Sequence, residues 1–464
     1  MKAMTRISLA AGALLLFAVS SSVHTGAQSP PAAPPAPTYS RDVAPILYKN
    51  CTACHRPGEI GPMSLLTYKD ARPWAKSIAA RVEAGTMPPW HADPSIGEFE
   101  NDRRLSPADK DTIARWAAGG APEGDPAELP APPKYADGWI IGQPDAIMTM
   151  QEDYAIPASG TIAYQYFEVP TSFAEDRWIQ AFEVRPGNRT VVHHVIVYTR
   201  PPTPAAPPTP AAQSGPRPAP LFEFAKGMEI PAGQTGGRPL PPDQRKAPGP
   251  NDRPAPRTLG PSIGAYVPGT STRVFPTGTA ARLAAGSTLV FQMHYTTTGK
   301  PTSDRTSIGF IFSKTPPPTE LRFTALINGS LHIPAGDPDH RVDAEMTINR
   351  DVTLWAMLPH THVRGKQWKY DVTFPDGRKE ALLVVPKYDF EWQTEYLLKR
   401  PLKLPKGTTL HATAWYDNSP RNKSNPDPTQ DVWWGDQTWE EMMFTGLTYS
   451  LDPAPAPANA AGAQ

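Results

Sequence analysis

From Tyr135 onward the sequence is a succession of short runs of alternating apolar residues, cut by proline, glycine or aspartate. They cover 162–169, 178–184, 190–198, 287–295, 352–357 and 408–416. Successive side chains on a strand point to opposite faces, so this period of two fits half-buried strands. Proline strengthens the constraint. The chain holds 59 prolines in 464 residues, well above the usual ~5%, and each removes a backbone donor and breaks a helix interior. All-β sandwiches are therefore expected over 136–452. A stretch at 201–261, rich in proline, glycine and alanine, reads as a partly disordered insertion or lid. The length suggests about three domains. Lys+Arg and Asp+Glu both number 45, so there is no basic excess to attract nucleic acid or an anionic membrane.

Residues 1–27 read as a signal peptide. Lys2 and Arg6 form a basic start, 7–20 an apolar run, and Thr25-Gly26-Ala27 a small-residue cleavage site. The run is short of the ~20 residues a membrane span needs, and no later segment qualifies. The expected location is the periplasm or the exterior, with no transmembrane segment. Residues 28–37 read as a tether, 126–135 as a linker and 453–464 as a disordered tail.

The only cysteines lie in Cys51-Thr52-Ala53-Cys54-His55. C-x-x-C-H is the attachment signature of c-type haem, with two thioether links and His55 as proximal iron ligand. A thioredoxin-like pair shares C-x-x-C but wants a βαβ setting. Here helices are expected at 42–50 and 105–117, the second with Ser106-Pro107 at its start and Gly119-Gly120 at its end. Met87, in a proline-held loop, is the expected sixth ligand, with Met63 and His91 as alternatives. The segment 38–125 resembles the class I cytochromes c, which implies a small all-α domain carrying one covalently bound haem c.

Three further motifs carry imidazoles. In Leu358-Pro359-His360-Thr361-His362, residues two apart can share one metal. His193-His194 are adjacent, so on a regular strand they face opposite ways and a common ion needs a bulge or a strand end. His294 follows Gln292-Met293. Near the C-terminus, Trp439-Glu440-Glu441-Met442-Met443 offers a thioether, a soft donor suited to copper. His332, His340 and His411 lack a partner at ligand spacing and read as structural or exposed. Arg364-Gly365 reads as a turn.

Taken in order, H-H, M-H-Y, H-T-H and E-M resemble the copper type II, ascorbate-dependent monooxygenases, the peptidylglycine and dopamine β-hydroxylase family. Asp417-Asn418-Ser419 and Asn425-Pro426 add to the likeness, which spans about 140–452. The resemblance implies an electron-transfer copper on His193, His194 and His294, and an oxygen-binding copper on His360, His362 and Met442. It implies two sandwiches meeting near 314–320. The expected fold class is therefore multidomain: a small all-α cytochrome c domain, then two all-β, jelly-roll-like copper domains at 136–314 and 315–452.

The expected function is hydroxylation of a small organic substrate with O2, using electrons that an external donor passes through the haem. Two features depart from the family. Animal members use several disulfides, whereas both cysteines here belong to the haem motif. Where peptidylglycine enzymes anchor a substrate carboxylate, this chain has Leu358, Phe444 and Gly446, so a C-terminal glycine is not the expected substrate. The alternatives are a non-catalytic copper-binding or electron-transfer cytochrome, and a haem-linked binding scaffold.

Overall fold

The computed structural model describes residues 36–59, 61–135, 138–202, 220–225, 228, 253, 259–267 and 271–453. The signal segment, most of the tether, most of 201–261 and nearly all of the tail lie outside them. Strand makes up 39% of the described residues and helix 12%, so sheets dominate the fold.

One nine-stranded sheet runs through both halves of the β region. Its first part joins Ala146–Thr149, Ser307–Ser313, Arg177–Arg185 and Thr279–Leu283, with Thr272–Val274 at the side. Its second part joins Thr319–Ile327, Phe444–Leu451, Val352–His360 and Tyr396–Leu404. The seam is a short parallel pairing of Thr319, Glu320 and Leu321 with Thr279, Ala280 and Ala281.

A four-stranded sheet packs on the first part, in the order Gln165–Pro170, Thr288–Tyr295, Val192–Arg200, Ser262–Tyr266. Ile179, Phe182, Val184 and Phe310 meet Val195, Val197, Leu289 and Phe291 in one buried core. A five-stranded sheet packs on the second part, in the order Lys379–Val385, Gly365–Thr373, Thr409–Tyr416, His340–Ile348, Phe222–Phe224. There Leu326, Leu354 and Leu447 meet Ala344, Met346, Tyr370 and Ala412. The period of two is plain in His340–Ile348, where Val342, Ala344, Met346 and Ile348 are the buried residues.

Phe222–Phe224 corrects the expected domain division. Part of the proline-rich insertion pairs with Met346–Ile348 and so belongs to the second half, not the first.

The all-α domain expected at 38–125 is not present as such. Its helices are short: α1 (Ala44–Asn50), α2 (Tyr68–Ala71), α3 (Ala75–Glu83) and α4 (Pro107–Ala118). They enclose two small clusters, one around Tyr39, Leu47 and Trp116, the other around Ile46, Val82 and Ile113. The stretch between α3 and α4 leaves them. Trp90, Ala92 and Phe99 are buried in the core of the second half. The Asp93 N–H donates to the Val384 carbonyl and the Glu100 N–H to the Leu397 carbonyl, at 2.8 and 2.9 Å. Helices this short cannot close a core alone, so the segment is welded to a sheet. The described residues from Pro37 onward form one compact unit. No described helix is long and apolar enough to cross a membrane.

Candidate metal centre

His194 and His294 face each other across a cross-strand pair. One step further the register slips, so that Tyr295 opposes Val192 and His193 is left over. This irregularity turns the adjacent histidines to one side. The His193 and His194 Nδ1 atoms lie 3.2 Å apart, and those of His194 and His294 3.4 Å. Ligand atoms of all three rings fall within 4.8 Å of one another. On a tetrahedral ion with metal–nitrogen bonds of ~2.0–2.1 Å, neighbouring nitrogens sit about 3.3 Å apart.

The proton positions fit. His193 Nε2 donates to the Glu391 carboxylate at 2.8 Å, which fixes the tautomer with a lone pair on Nδ1. His194 Nε2 is buried with no partner among the described residues. Burial, then the neighbouring His294, drive the His194 pKa well below its usual value, and burial pushes His294 down to about 3. His194 and His294 are therefore neutral at physiological pH, the form that binds metal. This triad can hold a metal ion.

The His360–His362 pair is built differently. The strand Val352–His360 ends at its first histidine, and His362 lies in the following turn. The rings are 5.3 Å apart and perpendicular. His360 Nδ1 donates to the Gln393 side-chain oxygen at 2.7 Å, and His362 Nδ1 to the Glu440 carbonyl at 3.1 Å. Both rings therefore carry their free lone pair on Nε2, and that of His362 is buried without a hydrogen-bond partner among the described residues. Burial pushes His360 down to about 4 and His362 well below the usual value.

Backbone clamps hold this turn. The buried Glu441 carboxylate accepts the N–H groups of His362 at 2.7 Å, Arg364 at 2.6 Å and Met442 at 3.2 Å. It thus ties the methionine segment to the histidine pair. Met443 is fully buried in the core, and Met442, half-buried, packs against the same core while its N–H is held by Glu441. Arg364 donates to Asn418, whose amide also holds the Pro334 and Gln430 carbonyls. Gly365 is required by close approach: a Cβ there would run into the Thr361 side chain and Tyr388.

The two groups share neighbours. The Phe390 ring lies 5.3 Å from His193, 6.3 Å from His294 and 6.3 Å from His362. Tyr164 lies 5.0 Å from His294 and 6.4 Å from His362. Glu391, Gln393, Phe390 and Tyr164 carry no motif in the sequence. Glu441 does leave a trace, as the second of two glutamates directly ahead of Met442-Met443-Phe444.

At the Cys51–His55 motif both thiols are free and half-buried, and burial pushes Cys51 up to about 12. His55 Nδ1 donates to the Met63 carbonyl at 3.3 Å, so Nε2 is the atom left to ligate. That bond puts the Met63 backbone on the ring edge away from Nε2. His91 is drawn elsewhere, with Asp389 and Lys387 in its field. Met87 follows α3, its N–H on the Arg81 carbonyl at 3.3 Å. The motif's loop reaches the turn that leads into the triad's strand: Glu59 pairs with Arg189, four residues before His193. His332, His340 and His411 pair with Asp431, Asp337 and Asp343 respectively.

No protein-family model and no curated protein matches the chain. Among solved structures, an allantoicase is 7% identical over 57% of this chain and 81% of its own, with a TM-score of 0.14. A Paenibacillus xanthan lyase is 11% identical over 70% of this chain but only 28% of its own, with a TM-score of 0.17. The Gt strain of infectious bursal disease virus gives 9%, 67% and 79%, with a TM-score of 0.17. At such scores none carries an argument about fold or function.

Proposed function

We propose that the protein is an exported, copper-dependent monooxygenase that hydroxylates a small organic substrate with electrons delivered through a covalent haem. The observation that carries this reading is the pairing of two buried histidine groups, one converging through Nδ1 and the other offering Nε2, around Phe390 and Tyr164. Insertion of one oxygen atom balances as R–H + O2 + two electrons + two protons giving R–OH + water. The chemistry drawn from copper at both groups is one-electron storage and O2 activation.

The chain's own contributions follow from the contacts. His193, His194 and His294 hold one ion, and Glu391 fixes the His193 tautomer. His360, His362 and Met442 hold the other, with Gln393 and the Glu440 carbonyl fixing the tautomers. Phe390 and Tyr164 keep water from the space between. Cys51 and Cys54 would hold a haem through thioether links, with His55 Nε2 and Met87 as the protein's ligands to its iron, and the haem would supply one-electron transfer. The Glu59–Arg189 pair joins that loop to the turn that leads into the triad's strand, so electrons are proposed to arrive at the triad first. Export rests on the basic and apolar start of the sequence.

Burial of the ligands also favours a second reading. His194 is 1% and His362 0% exposed, as suits a copper protein that only passes electrons. Metal and haem content of the exported protein is the deciding test, followed by oxygen uptake. Two coppers, one haem and O2 consumption matched by hydroxylated product support the monooxygenase. Reversible redox without oxygen uptake supports electron transfer, and a copper-free protein defeats both.

A further inference from the structure

The segment 387–394, between the strands Lys379–Val385 and Tyr396–Leu404, touches both histidine groups within a few residues. Phe390 stacks on His193 at 5.3 Å and 18°, Glu391 accepts from His193 at 2.8 Å, and Gln393 accepts from His360 at 2.7 Å. Its shape is held from within. The Glu391 N–H donates to the Asp389 carboxylate at 3.0 Å, the Trp392 N–H to the Asp389 carbonyl at 3.0 Å, and the Gln393 amide to the Phe390 carbonyl at 3.2 Å.

Both ends are hooked. At one, the Tyr388 hydroxyl donates to the carbonyl of Thr361, the residue between the two histidines, at 3.1 Å. At the other, Glu395 pairs with Arg273 of the first half and accepts from Thr448 of the second. A displacement of 387–394 at either group is therefore felt at the other.

We propose that 387–394 is a shared positioning strap: Glu391 orients His193, Gln393 orients His360, and the strap makes metal binding at one group raise affinity at the other. This rests on reading both groups as metal sites. Losing the partner that orients a ligating imidazole typically costs 10–100-fold in metal affinity. Energetic coupling between two sites is reciprocal.

The test uses the full chain with its haem and copper ion alone as the probe. Affinity for each group is read in the chain with both groups intact, the copper EPR signal identifying which is occupied, and again with the other group disabled by His294→Ala or by His360→Ala/His362→Ala; coupling is the difference between the two readings. Glu391→Ala is expected to weaken the triad about tenfold or more. Gln393→Ala is expected to weaken the pair comparably and, through the strap, to weaken the triad by a smaller but measurable factor. Gln393→Glu, which keeps an acceptor for His360, restores both. Unchanged thermal unfolding of the metal-free variants separates positioning from loss of fold.

Triad affinity unaffected by Gln393→Ala, or Gln393→Glu failing to restore either site, overturns the strap. Absence of copper binding in the unsubstituted chain overturns the metal reading itself, and is seen before any variant is made.

Discussion

The two histidine groups solve one problem in opposite ways. In the triad, a slip in register between two strands brings the imidazole nitrogens together, and the outer nitrogens of His193 and His294 meet Glu391 and Thr438, both from the far half. In the pair, every orienting contact is local to the second half: Gln393, the Glu440 carbonyl and the Glu441 clamp. The triad is thus set by sheet geometry and the pair by a buried carboxylate. The same residue type can be positioned by backbone register or by hydrogen bonds, and the two modes fail differently on mutation.

The largest effect is expected where the clamp is removed. Glu441→Ala leaves the N–H groups of His362, Arg364 and Met442 without their acceptor. Each orphaned buried donor costs ~1–3 kcal/mol, so a loss of at least about 3 kcal/mol is expected in denaturant unfolding. Copper at the pair should vanish while the triad, built on register, retains its ion. Equal loss at both groups would break the comparison. Gly365→Ala should act the same way at lower cost, roughly 1–3 kcal/mol for overpacking, by driving a methyl into Thr361. Copper titration by EPR reads both.

The reverse experiment strikes the triad. His294→Ala removes one of three converging nitrogens and should lower copper affinity there by more than the roughly 10–100-fold loss of an orienting contact. The Glu441 clamp is untouched, so binding at the pair should fall only by the share the strap transmits. Full loss at the pair would show one inseparable site.

How far these differences are legible in sequence depends on whether their cause is local. The strands Arg177–Arg185, Val192–Arg200, Thr288–Tyr295 and Thr409–Tyr416 follow directly from alternating runs, because burial of one face writes itself into the pattern. Helix α4 also announces its start: the Ser106 hydroxyl accepts the Asp109 N–H at 3.1 Å, ahead of Pro107. All five histidines of the two groups sit in recognisable motifs. The docking of Trp90 and Phe99 on a distant core and the Phe222–Phe224 pairing leave no local trace, and the first of these misled the expectation of a separate helical domain. Glu391 and Gln393 are invisible for the same reason, since a loop's role is set by what folds against it.

The smallest predicted effect lies away from both groups and separates fold stability from metal binding. Glu183 is buried in the first half, where it accepts the N–H groups of Ile140 and Ile141, while its Oε1 has no hydrogen-bond partner among the described residues and faces Arg185 Nε at 3.8 Å. Burial raises its pKa above the ordinary 4.5, and the two backbone donors only partly oppose this. The folded chain therefore holds a proton that the unfolded chain releases. The resulting stability is fully present below about pH 4.5 and is lost as pH rises through the elevated folded value. Glu183→Gln should flatten this slope in urea unfolding of the metal-free protein. Copper affinity of triad and pair should be unchanged, because neither group touches Glu183. A shift in triad affinity would mean that the sheet register, and with it the bulge at His193, depends on this carboxyl.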